Sequence, residues 1–111
     1  MSVVTAAVSY YRCGLGTTPY IDVDTDAGHV VRINFRPAGQ QLPQNVTEAL
    51  YPDYPDLGEY VYGSIWALAE QYTWFLDLLR NEQVGIRLDT VNPAINKLVT
   101  IMTVAGWGHI A

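Results

Sequence analysis

Two runs of strict alternation, at positions 20–25 and 29–36, leave this chain little choice but an antiparallel hairpin in its first third. In the first run Ile21 and Val23 oppose Asp22 and Asp24. In the second Val31, Ile33 and Phe35 oppose Arg32, Asn34 and Arg36. Asp26-Ala27-Gly28 lies between them. A two-residue loop would pair Asp22 with Val31 and place carboxylates on the apolar face. A three-residue loop pairs Thr25 with His29, Val23 with Val31 and Ile21 with Ile33, and sets Asp22 opposite Arg32. Such loops end in a residue of left-handed conformation, and Gly28 stands at that position.

The rest of the chain reads less sharply. Positions 3–11 are rich in Val, Thr and Tyr and form a strand, followed by a loop over 12–19 with Gly14, Gly16 and Pro19. Positions 37–58 are rich in turn residues, with Pro37, Gly39, Pro43, Pro52 and Pro55, and a short helix is expected over 44–51, ended by Pro52. Asp56 with Glu59 three residues later makes a capping box for a long helix reaching Glu82. Val61, Ile65, Leu68, Tyr72, Phe75, Leu76 and Leu79 form its apolar stripe, and Gly63 with Ala67 would let another element approach closely. Positions 84–89 alternate as a strand. The last segment has two readings. Its β-branched run from Leu98 to Val104 suits a strand. Asn92-Pro93 and the spacing of Ile95, Leu98, Val99 and Met102 favour a helix over 93–105, stopped by Gly106. The expected fold is therefore α+β: one domain over 1–111, an antiparallel sheet packed against one long helix and a C-terminal helix.

Composition narrows the function. A net charge of −5 lacks the basic footprint of phosphate binding, so nucleic acid and anionic membranes are not expected partners. No segment offers the roughly 20 apolar residues of a membrane helix, and positions 1–8 do not form a secretion signal. One cysteine, Cys13, allows no internal disulfide, which points to the cytoplasm; the Asn45-Val46-Thr47 sequon is then idle. Only 15% of residues are charged while 50% are hydrophobic, so part of the apolar surface is expected to be covered by a second copy, most simply in a dimer.

Candidate sites are few. Asp22, Asp24, Asp26 and Gly28 spell D-x-D-x-D-x-G, but the glycine and twelfth-position carboxylate of a calcium loop are replaced by Ala27 and Ile33. Strand alternation alone explains the spacing. Cys13, His29 and His109 do not have zinc-ligand spacing, and no cofactor is implied. No nucleophile elbow, P-loop or dinucleotide glycine pattern occurs, so whether the chain is an enzyme stays open. Aromatics are more informative: 8 Tyr and 3 Trp. Tyr62, Trp66 and Trp74 fall off the helical stripe, and Tyr54 lies in the loop before it. Such rings pack under a loop, line a ligand pocket or meet another subunit. Two functions follow as expectations. One is a small, cytoplasmic, non-enzymatic interaction protein that self-associates through its helix surface. The alternative is a small-molecule pocket, open to catalysis, between the long helix and the sheet.

Overall fold

The computed structural model describes residues 3–15, 18–51, 53–54, 56 and 60–100. Among these residues are seven strands: β1 Val3–Leu15, β2 Pro19–Thr25, β3 Val30–Arg36, β4 Thr47–Ala49, β5 Val61–Leu68, β6 Val84–Asp89 and β7 Lys97–Thr100. One helix, α1, spans Tyr72–Asn81 and is entered through a 3₁₀ turn at Ala69–Gln71. The strands form one mixed sheet in the order β4-β5-β3-β2-β1-β6-β7, with a single parallel pair, β3 with β5. The expected antiparallel sheet against a long helix is thus overturned in favour of a mostly β architecture.

The hairpin forms as its alternation dictates. Ile21 pairs with Ile33, Asp22 with Arg32 and Val23 with Val31. The Thr25 N–H donates to the His29 carbonyl, and Gly28 takes a φ of 86°. Ile21, Val23, Val31, Ile33 and Phe35 are all buried, so the hairpin's apolar face is the floor of the core.

β1 runs four residues further than the alternation of its first half indicates, and this extension bends the sheet. Val3–Ala7 pair with β6, whereas Val8–Leu15 pair with β2, with an irregularity between Val8 and Tyr10. A strand that changes partner at a bulge turns a corner. The β6–β7 wing consequently folds back over the β3–β5 wing. Gly63 on β5 marks the contact, because a Cβ there would lie 2.5 Å from the Leu88 side chain of β6. Of the close approach expected at Gly63 and Ala67, the one at Gly63 is found, inside the chain and between strands.

The helix expected over 56–82 is corrected to a strand followed by a helix of little more than a third that length. Leu57–Glu59, and with them the capping box, lie outside the described residues. Over β5, Val61, Gly63, Ile65 and Ala67 face the core, while Tyr62, Trp66 and Leu68 face away. The small inward residues leave room for Leu88, and the large outward ones disguise the alternation, so Val61, Ile65 and Leu68 mimic helical spacing. Gly63 and Ser64, followed by β-branched Ile65 and aromatic Trp66, favour extended backbone. The Gln71 side chain accepts from the Leu68 N–H at 3.0 Å and starts the turn into α1. From there Tyr72, Phe75, Leu76 and Leu79 do form the packed stripe.

Two further expected helices are absent. Within 44–51 the chain forms β4, which pairs with β5. The 93–105 helix is reduced to a 3₁₀ turn at Pro93–Ile95, after which Lys97–Thr100 form β7 on β6. The Asn92 side chain makes no cap, and the buried Asn96 side chain is held by the β4–β5 wing, which pulls the backbone extended. Positions 101–105 of that expected helix, and the tail with Trp107 and His109, lie outside the described residues.

Candidate functional site

Strand alternation fixes a second face of the sheet, opposite the core. It collects Tyr10 and Arg12 from β1, Tyr20, Asp22 and Asp24 from β2, Arg32, Asn34 and Arg36 from β3, Tyr62 and Trp66 from β5, and Glu48 from β4. Each arginine on this face meets a ring. The Arg32 guanidinium lies 4.2 Å from the centre of Tyr20, Arg36 lies 5.1 Å from Trp66, and Arg12 lies 5.6 Å from Tyr10. The Tyr20 ring lies over Gly14, where a Cβ would be 1.9 Å from it.

The charges are matched as well. Arg32 grips Asp22 with two hydrogen bonds, Nε to Oδ1 at 2.7 Å and an Nη to Oδ2 at 2.9 Å. That fork raises the Arg32 pKa above its ordinary value. Arg12 stands 3.9 Å from Asp24. The Tyr10 phenol is pushed up, chiefly by its hydrogen bond to the Asp24 carboxylate. Burial pushes the Tyr62 phenol up too. Three arginines with Asp22, Asp24 and Glu48 leave the face near neutral on an acidic chain. Its centre is a 330 Å³ hollow between Arg12, Asp22, Asp24, Arg32 and Tyr62.

The structure sorts the residues that the sequence singles out. Tyr62 and Trp66 come together on this outer face. Trp74 does not: it is 59% exposed on α1, across the sheet, with its ring edge-on to Phe75 at 5.0 Å. Tyr54 is also apart, 64% exposed in a turn closed by its N–H on the Tyr51 carbonyl. Asp22 and Asp24 share the face but engage Arg32 and Arg12, and Asp26 sits exposed in the hairpin turn. Among the described residues no group of three or more His, Cys, Asp or Glu side chains could hold a metal ion. Tyr10, Arg12, Tyr20, Arg32 and Arg36 were not marked by the sequence as site residues, although the hairpin's alternation already puts three of them, Tyr20, Arg32 and Arg36, on one side.

Beside the hairpin turn a small cluster ties the start of β3 to the start of β5. The Val61 N–H donates to His29 Nδ1 at 3.1 Å, and the His29 ring meets Tyr60 edge-on at 6.3 Å. Burial holds the imidazole pKa below its ordinary value of about 6.5, so His29 is a neutral acceptor in the fold. The unfolded chain therefore binds the proton more readily. Stability is full above about pH 6.5 and falls as pH drops through the folded-state value. His29→Asn keeps an acceptor without the titration. Urea midpoints at pH 7.5 and pH 5.5 should differ less for this variant than for the native chain. Equal shifts in the two would remove His29 from the acid response.

Among the described residues no helix is long and apolar enough to cross a membrane. No family model, no curated protein and no solved structure matches this chain.

Proposed function

We propose that the chain is a non-enzymatic binding protein whose recognition surface is the outer face of the β1–β5 sheet. The observation that supports it is the set of three arginine–aromatic pairs, Arg12–Tyr10, Arg32–Tyr20 and Arg36–Trp66, on one face with matched carboxylates. Rings supply large apolar area with a polar handle, and pre-paired guanidinium and carboxylate groups offer fixed donors and acceptors. Near-neutrality disfavours highly charged ligands. The fitting ligand has apolar faces, hydrogen-bonding groups and little net charge, as in neutral oligosaccharides and uncharged peptides. A reducing, cytoplasmic setting belongs to the same proposal, since Cys13 is exposed and free. The helix surface no longer supports self-association, because α1 is short and its apolar stripe faces the core.

The test is chemical-shift mapping of isotope-labelled protein against panels of those two ligand classes. A binder should move resonances on β2, β3 and β5, and Trp66→Ala should weaken it about tenfold or more. Binders that map elsewhere, or none in either panel, would count against the proposal.

A further inference from the structure

The bend in β1 leaves an edge uncovered. From Val8 to Leu15 the strand pairs with β2 on one side only, and among the described residues no strand pairs with the other side. That edge opens into a 620 Å³ cleft between Val8, Tyr10 and Tyr11 of β1 and Leu79, Glu82 and Val84, at the end of α1 and the start of β6. An unpaired edge is a template for another strand, and chains that keep it free place lysine or proline along it. Positions 10–15, Tyr-Tyr-Arg-Cys-Gly-Leu, hold neither.

We propose that a second copy of this chain occupies the edge, β1 pairing antiparallel with β1 about a two-fold axis perpendicular to the sheet. Directly opposed residues in such a pair point to the same side, so the outer faces of the two copies become continuous only if the axis passes through a residue. With Arg12 on the axis, two guanidinium groups directly oppose each other, which is destabilising. With Cys13 on the axis, Arg12 faces Gly14 of the partner subunit and Tyr10 is left unmatched. With Tyr11 on the axis, Tyr10 faces Arg12 of the partner subunit, and the reciprocal pair forms across the axis. Tyr10 is 51% exposed and the Arg12 side chain 62% exposed, so both are open to this contact. The Tyr11 register therefore satisfies sheet pleat, charge and ring stacking together. It joins the two recognition faces edge to edge, and each Tyr10, already 5.6 Å from Arg12 of its own chain, gains the partner's Arg12 as well.

The experiment pairs the mass of the untagged protein in solution at micromolar concentration with the separation of two nitroxide labels on Cys13, which is exposed and the only cysteine. In the Tyr11 register the two Cys13 Cα atoms lie about 14 Å apart, four residues along and one strand across. The expected result is a dimer with strong dipolar coupling at that short distance, and an Arg12→Glu variant whose dissociation constant is raised about tenfold. A monomer overturns the proposal, whether the edge is bare, covered by the chain's own remaining segment or reserved for another peptide. A dimer with widely separated labels, or one indifferent to Arg12→Glu, overturns it as well. Binding on the outer face of a monomer would leave the proposed function standing and remove only the dimer.

Discussion

Phe35→Ala is expected to cost about 3–5 kcal/mol of folding stability. Phe35 is fully buried at the end of β3, and its ring meets Tyr72 and Phe75 edge-on with centroids 5.0 and 5.6 Å away. Deleting it removes a large apolar area and leaves a cavity between two elements that cannot both collapse into it: the sheet is held by ladders on either side, and α1 by Phe75 and Leu79. It also removes both edge-to-face pairs, together about 1–3 kcal/mol of that cost. A domain of this size has about 5–15 kcal/mol in all, so the variant sits near the limit of folding. Phe35→Leu, which refills most of the space, should cost about 1–2 kcal/mol. Urea unfolding with unchanged m-values measures both. Amide exchange adds the location: in Phe35→Ala protection should be lost first over Tyr72–Asn81, because the helix loses its main contact with β3. A cost under about 1 kcal/mol, with α1 still protected, would mean that the helix is anchored elsewhere.

The sequence declares some of this packing and conceals the rest for physical reasons. In the hairpin each local signal agrees: period-two alternation, opposite charges at Asp22 and Arg32, and a glycine where φ is positive. β5 carries no such agreement. Its inward positions are small because Leu88 needs the space over Gly63, and that requirement lives on β6, more than twenty residues away. Its outward positions are large because they pack with the side chains of the outer face, Trp66 against Arg36 among them. Packing on the two faces together erases the pattern that would identify the strand. The β3–β5 pair is parallel and joined by a long crossover, so no turn signature announces it. Tyr62 and Trp66 stand out from sequence because they break an apparent helical stripe, and the true cause of that break is that they lie on the outer face of a strand. Tyr10, Tyr20 and the three arginines stay hidden because a ring beside a guanidinium is visible only after strands are placed side by side. At the C-terminus Asn92-Pro93 does initiate a helical turn. It fails to propagate because one residue, Asn96, has its partners across the fold.

That residue is the second large expected effect. Asn96 is 6% exposed and lies between β6–β7 and β4–β5. Its Oδ1 accepts from the Asp89 N–H at 2.9 Å, and its Nδ2 donates to the Val46 carbonyl at 3.0 Å and the Ser64 carbonyl at 3.2 Å. The Thr47 hydroxyl sits against both ends of the amide, 3.1 Å from Oδ1 and 2.9 Å from Nδ2. Asn96→Ala strands the Asp89 N–H and takes a donor from the Ser64 carbonyl, while the Val46 carbonyl keeps the Ser64 N–H; the loss costs about 2–4 kcal/mol because a buried group without its partner keeps its desolvation penalty. Asn96→Asp separates the two halves of the role. A carboxylate retains the acceptor for Asp89 but has no N–H for Val46 or Ser64, and it places a negative charge against two carbonyls. At neutral pH it should be at least as destabilising as alanine, with part of the loss recovered as acid protonates it. Thr47→Val leaves the asparagine its backbone partners and should cost only about 1 kcal/mol. If Asn96→Asp were tolerated at neutral pH, the amide's bonds to Val46 and Ser64 would not be what joins the wings. The folding-back of β6 and β7 over β5 would then have to be held by Leu88 packing on Gly63 rather than by this amide.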